Sequence, residues 1–400
     1  MLSEAVSDTP VVLLNGARQT GKSTLVLQAL PASFRYATLD EATVLAAVRS
    51  DPDEYVRSSE RLIIDEVQRV PELFRAIKAN VDQNRQPGRF VLTGSADVMV
   101  LPAISESLAG RIEILTLWPF SQGEIEGRLE TFVDAVFGAK LPELAPSEPT
   151  ERSIAERVFV GGYPEAIQRA TARRREAWFR SYVSTIVQRD IRNLADIEGF
   201  TNLPRLLRLL AARTSALLNY AELSRSSGLP ATTVRRYVAL LEATFLVQML
   251  PPWHANVGKR LVKAPKVLAV DSGLAAYLAG FNPARMQVNA TRFGSLLETF
   301  VAMELRKQMT WSDLQPGLFH FRTSAGQEVD LVLEDRIGRL VGIEVKAASS
   351  VSARDMRGLK ALRDLQPDRF ARGLVLYGGE SVVPFGPDLH AVPFRALWRW

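Results

Sequence analysis

Nine residues, GARQTGKST (Gly16–Thr24), follow the apolar run Val11–Leu14 and lead into the segment LVLQAL. No other feature limits the fold of this chain as much. The pattern G-x-x-x-x-G-K-[ST], set between a buried strand and a helix start, specifies a phosphate-binding loop on a parallel α/β sheet. Gly16 and Gly21 let the backbone bend and come close to a ligand. The N–H groups of Ala17, Arg18, Gln19 and Thr20, with the helix N-terminus, are expected to cradle phosphates. Lys22 reaches the β- and γ-phosphates. Ser23 completes the motif and offers a hydroxyl to Mg2+, and Thr24 after it is counted among the cofactor-binding residues. The expected cofactors are ATP and Mg2+.

A loop of this kind needs acids on a neighbouring strand. Leu62–Ile64 is a short apolar run ending in Asp65-Glu66. Asp65 is placed to hold Mg2+ through water, and Glu66 to polarise the attacking water as general base. A third strand, Phe90–Leu92, ends in Thr93, Gly94 and Ser95. The carboxyl end of a strand in an open parallel sheet faces the ligand crevice, so Ser95 is expected to contact the γ-phosphate or the lytic water. Arg111, in LAGRIEIL, is either an arginine finger, in cis or across a subunit contact, or a structural ion-pair partner.

The GARQTGKST loop with LIIDEVQ, LTGS, LAGR and WPFSQGE resembles the AAA-type ATPases that carry a C-terminal DUF4143 domain. The resemblance covers nearly the whole chain. Proteins of that family usually have an arginine-bearing helical segment before the first strand. Here the strand begins by Val11, a departure at the place where an N-terminal adenine contact would lie.

The chain has 400 residues, no cysteine and three histidines (His254, His320, His390) far apart in sequence. Disulfides and thiolate zinc sites are excluded, and a reducing cytoplasm is expected. The N-terminus is acidic, unlike a secretory signal. No uncharged apolar run reaches the ~20 residues of a membrane span, so no membrane partner is expected. The net charge is only +5, but Thr201–Lys266 holds ten Arg or Lys against two acids. That block attracts polyanions or forms a solvated basic face.

AKLPELAPSEPT reads as a linker. WFRSYVSTIVQRDIRNL after it has apolar residues at helical spacing, and GGYPEAI and QRDI resemble the family; a packing role is expected for both. Within the basic block, AELSRSSG reads as a helix closed by Gly228. Thr232 or Thr233 would cap a second helix carrying Arg235, Arg236 and Tyr237, with two strands following. Helix-turn-helix plus hairpin is a winged-helix pattern. Its second helix would enter a DNA major groove while Lys259, Arg260 and Lys263 touch phosphate; the other reading is protein contact alone.

GSLLETFVAMELRKQ reads as a helix with Leu297, Val301 and Leu305 on one face and Glu298 beside it. EVDLVLEDRIGRLVGIEVKAAS reads as a hairpin with Gly338 in the turn. Asp330, Glu344 and Lys346, with Glu298, look like the PD-(D/E)XK nuclease site. The resemblance implies that Asp330 and Glu344 hold Mg2+, that Glu298 assists, and that Lys346 orients water or stabilises phosphate charge. An inactive nuclease-like binding domain and a plain hairpin are the alternatives.

The expected fold class is α/β, in four stretches. These are a P-loop parallel-sheet ATPase domain (1–128), a linker and helical region (129–200), a winged-helix-like domain (201–280) and an α/β PD-(D/E)XK nuclease-like domain (281–400). The function expected is Mg-ATP hydrolysis coupled to a DNA-binding, nuclease-like module. The alternative is a nucleotide-dependent switch that binds DNA or a protein partner without cleavage. DNA, a second copy of the chain and a protein partner stay open as partners.

Overall fold

A computed structural model describes residues 1–96, 108–146, 152–191, 202–256, 258, 260, 263–286, 289–323 and 325–400. The chain divides into two compact units. One comprises Met1–Pro119, Ser181–Phe200 and Ala239–Leu246; the other comprises Phe120–Arg180, Thr201–Val238 and Val247–Trp400.

The first unit is built on strands β1 (Val11–Asn15), β2 (Arg35–Thr38), β3 (Leu62–Asp65), β4 (Phe90–Thr93) and β5 (Ile112–Thr116), in the spatial order β2-β3-β4-β1-β5. All four pairings are parallel. A parallel sheet is covered on both faces, so its inner strands are continuously apolar, as β1, β3 and β4 are. Successive side chains of β1 serve opposite faces. Val11 and Leu13 join a cluster with Phe74 and Ile77 of α5 (Leu73–Gln83), and with Val48 and Val56 of α3 (Ala42–Ser50) and α4 (Pro52–Arg57). Val12 and Leu14 join Val26 of α2 (Lys22–Ala29) and Leu2 and Ala5 of α1 (Leu2–Asp8). The helix α1 ahead of β1 is not anticipated by the sequence patterns above; it carries no arginine. From β1 the chain crosses to β2 at the far edge and returns inward through β3 and β4, and β5 closes the other side of β1. The order therefore reverses beside β1, and the loop leaving β1 lies at the switch point where α/β sheets bind ligands.

The second unit contains α6 (Leu203–Ala211), α7 (Tyr220–Ser227) and the start of α8 (Ala231–Ala243), with β6 (Val247–Leu250) paired antiparallel to β7 (Lys266–Ala269). Asn219 caps α7 by accepting from the Glu222 N–H, and Gly228 ends it in the left-handed region at φ +74°. The expected cap of α8 is corrected: Thr232 and Thr233 lie inside the first turn, because the Val234 N–H already donates to the Pro230 carbonyl at 3.0 Å. Beyond α9 (Ala290–Gln308) lies a six-stranded sheet. Its strands are β8 (Gly317–Arg322), β9 (Glu328–Glu334), β10 (Leu340–Lys346), β11 (Phe370–Tyr377), β12 (Val383–Pro384) and β13 (Leu389–Pro393), in the order β12-β13-β11-β10-β9-β8. β8, β9 and β10 are antiparallel, whereas β10, β11 and β13 are parallel, with α10 (Arg357–Leu365) crossing between β10 and β11. Leu297, Val301 and Leu305 of α9 pack with Leu331 and Ile343 on one face. Leu359 and Leu362 of α10 pack with Val329 and Val332 on the other.

Candidate functional site

The phosphate loop sits where β1 hands over to α2. Gly16 has φ +139°, and a Cβ there would collide with the Leu117 carbonyl, so the loop admits no side chain at that point. Gly21 starts α2 at φ +97°, a left-handed conformation that glycine adopts without strain. The Thr20 hydroxyl donates to the Ala17 carbonyl at 2.9 Å and tightens the loop. Lys22 Nζ donates to the carbonyls of Gly16 (2.9 Å) and Ala17 (2.7 Å). Lys22 is only 6% exposed. Burial pulls its pKa down to about 8, although Glu66 and Asp65 oppose the shift.

Asp65 ends β3 and collects three hydroxyls. The Ser23 hydroxyl lies 3.0 Å from each carboxylate oxygen, Tyr36 donates at 2.8 Å, and Thr93 donates a short bond. Burial, then the bond to Asp65, raises the Tyr36 phenol to about 12. Ser23 and Asp65 form an oxygen-only donor set, which suits a hard cation such as Mg2+. Glu66 follows in the left-handed region at φ 61°, ψ 43°. That conformation is uncommon for any residue other than glycine. Glu66 Oε2 accepts from the Gln68 amide and from Ser95 Oγ at 3.3 Å, while Gln68 Nε2 also reaches Ser95 Oγ at 3.0 Å. Ser95 is 2% exposed. Lys22, Ser23, Asp65, Glu66 and Ser95 thus gather at the carboxyl ends of the sheet. Tyr36 and Gln68 are missed by sequence reasoning; only the Gln68 position in LIIDEVQ carries a signal.

Arg111 is not brought to this place. Its carbonyl accepts from Val11 N–H, which fixes it at the amino end of β5. The five residues of β5 separate it from the loop by about 17 Å. Its guanidinium pairs with Asp82 at 2.5 Å. The cis finger is corrected on this geometry. Arg18 of the loop instead pairs with Asp190 of the QRDI segment at 2.9 Å, with both side chains largely buried.

In the second unit, Lys266 of β7 stands among the acids of the expected metal cluster. Its ammonium lies 2.8 Å from Glu298, 2.8 Å from Glu328 and 3.9 Å from Asp330, and its side chain is 4% exposed. Asp330 also accepts from the Val345 N–H at 2.9 Å. Burial, then the Asp330 carboxylate, pushes Glu344 well above the carboxylate range, and the two side chains are hydrogen-bonded. Burial, then Asp330, likewise raises Glu298 to about 8. Lys266 is paired with Glu298 and Glu328, and Asp330 stands between that pair and Glu344. Among the described residues no group of three or more such side chains is arranged to hold a metal ion. Lys346 lines an open cleft of about 640 Å3 with Asp330 and Glu344, and lies 3.6 Å from Asp355.

Of the expected phosphate contacts, Arg235, Arg236 and Lys263 are exposed, and the Arg235 guanidinium stacks over Tyr220 at 4.7 Å. Arg260 is committed elsewhere: it grips Glu334 with two bonds (2.6 and 3.1 Å) and lies against Phe319 and Trp253. Its role as a phosphate contact is corrected on that ground. Lys259 lies outside the described residues.

Three family profiles match the chain: an AAA domain at residues 8–126, a domain of unknown function (DUF8612) at 151–285 and a domain of unknown function (DUF4143) at 293–397. Two mycobacterial proteins are similar along almost all of it. Uncharacterized protein Mb2031c of Mycobacterium bovis and uncharacterized protein Rv2008c of Mycobacterium tuberculosis are each 32% identical over 396 residues, covering 98% of this chain and 82% of the relative. Among solved structures, Can2 from Sulfobacillus thermosulfidooxidans in complex with cyclic tetra-adenylate aligns over 98% of this chain and 96% of that one. At 11% identity and a TM-score of 0.18, that alignment carries no fold relationship.

Proposed function

This chain belongs to the family of AAA-domain proteins with a C-terminal DUF4143 domain, and from that premise we propose that it binds and hydrolyses Mg-ATP to control a DNA-binding, nuclease-like module. The observation that carries the reading is the convergence of Lys22, Ser23, Asp65, Glu66 and Ser95 at one end of a parallel sheet. The loop N–H groups and Lys22 bind the phosphates, and Lys22 neutralises charge that grows on the γ-phosphate. Ser23 and Asp65 would hold Mg2+, which when bound supplies charge neutralisation between the phosphates. Glu66 takes a proton from water, with Gln68 and Ser95 fixing its carboxylate. Arg111, if it serves as a finger, does so only from a second copy.

For the C-terminal module, Lys266 favours binding without cleavage. Its ammonium pairs with Glu298 and Glu328 and lies 3.9 Å from Asp330, counter-charge where a metal would otherwise sit, so no hydrolytic step is proposed there. The winged-helix reading of α7, α8 and the β6–β7 pair is supported by their order and by exposed Arg235, Arg236 and Lys263.

The test is ATP turnover with and without DNA, with the DNA recovered and checked for breaks. Lys22→Ala should lose nucleotide binding. Glu66→Gln should bind ATP normally and turn it over about 100-fold more slowly, within the range for removal of a general base. Undiminished turnover in Lys22→Ala would end the assignment, and metal-dependent DNA breaks would end the non-cleaving reading.

A further inference from the structure

Sequence alone gives the QRDI segment a packing role. Three observations around it point elsewhere. Asp190 is 7% exposed, yet its carboxylate is bonded to Arg18, the third residue of the phosphate loop, at 2.9 Å. The Asp190 charge also acts on Lys22, opposing the shift that burial imposes. Finally, Ile186–Asp190 is a π-helical turn following the helix Ala172–Thr185. Widened turns of this type concentrate at functional sites, because one extra residue re-aims the side chains around it. Here the turn delivers an acid to a loop built for anions.

We propose that Asp190 is a positioning residue that competes with nucleotide phosphate for Arg18, so that nucleotide occupancy is felt at the Ile186–Asp190 turn. The inference rests on the nucleotide-binding reading above and adds its regulation. The loop's attraction for a polyanion comes from backbone N–H groups, Lys22 and Arg18. A carboxylate tied to Arg18 removes part of that positive charge and repels any phosphate that arrives. Binding of ATP and retention of the Arg18–Asp190 pair therefore oppose each other. Such opposition is reciprocal: whatever Asp190 subtracts from ATP affinity, ATP subtracts from the stability of the pair. The turn is anchored by buried Ile186, Val187 and Ile191, so a released Asp190 repacks the turn around these residues.

Two measurements test this. In the first, a fluorescent ATP analogue is titrated into the full chain at fixed salt. Asp190→Asn should bind about fivefold more tightly or better, the lower end of typical site-to-site couplings. In an Arg18→Gln background the same change should have a much smaller effect, since the contested partner is gone. A merely structural acid would lower the melting temperature and leave affinity alone. Folded Asp190→Asn with unchanged or weaker affinity would overturn the proposal. The second measurement needs no variant. Hydrogen exchange of residues 186–191 in the wild type should speed up on adding the analogue with Mg2+, and unchanged or slower exchange at these amides would also overturn the proposal. Lys22→Ala serves as the separate control. If it binds nucleotide like the wild type, the phosphate-loop reading has failed, whatever Asp190 does.

Discussion

At the scale of single residues, Lys22 ties the buried loop to pH. Its ammonium is held among carbonyls and loses its proton near pH 8. A polyanion binds the protonated form, so binding above pH 8 requires proton uptake. Affinity for ATP should be flat below pH 7.5 and then fall by up to about tenfold per pH unit above 8, until the bound-state pKa is reached. A fluorescent-nucleotide titration from pH 7 to 9.5 checks the slope, and Lys22→Arg should flatten it. The residues of this site that can be read from sequence, Gly16 to Thr24 and Asp65-Glu66, are those whose geometry is local to one loop or one strand end. Tyr36 and Gln68 escape because a tyrosine on β2 and a glutamine after β3 have no fixed spacing from the loop. Only the β2–β3 pairing brings Tyr36 to Asp65, and only the turn at Glu66 brings Gln68 to Ser95.

At the scale of elements, β7 shows how a sequence count misleads. Lys266 is one of ten basic residues in a stretch that, by charge alone, suits a solvated face. The strand buries it instead, and its ammonium becomes the counter-charge of Glu298 on α9 and Glu328 on β9. Nothing in the spacing of KAPKVLAVD distinguishes Lys266 from Lys263, which is exposed. Removing one partner of a buried ion pair typically costs about 3–5 kcal/mol. Lys266→Met should therefore destabilise the second unit by an amount of that order, as measured by denaturant unfolding. It should also leave the acids open to a divalent ion. Mn2+ should raise the melting temperature of Lys266→Met, should do so far less after a further Asp330→Asn change, and should leave the wild type unmoved. A wild-type shift abolished by Asp330→Asn alone would return a metal to this cluster.

At the scale of the whole molecule, the compact units do not follow the order of the chain. Ser181–Phe200 and Ala239–Leu246 belong with the first 119 residues, and the intervening stretches belong with the C-terminal sheet. Composition and linker signals report only the order along the chain. Membership of a unit is fixed by contacts between distant segments, such as Arg18 with Asp190. The helix α8 has Ala231–Val238 in one unit and Ala239–Ala243 in the other, and it carries the exposed Arg235 and Arg236 in its first half. These two exposed arginines motivate the last prediction. If α8 meets DNA phosphates, Arg235→Ala with Arg236→Ala should weaken binding. The slope of log K against log salt should then fall by about 1 for each phosphate that is no longer neutralised. Arg260→Ala should leave the slope unchanged, because its guanidinium is already held by Glu334, and should lower stability instead. The measurement is a DNA titration between about 50 and 200 mM salt, an interval chosen from the usual range of such slopes. Repeating it on Glu66→Gln with and without ATP tests the coupling, since that variant is expected to hold ATP without consuming it. Equal DNA affinity in both states, with the salt slope intact, would leave two independent binding activities on one chain.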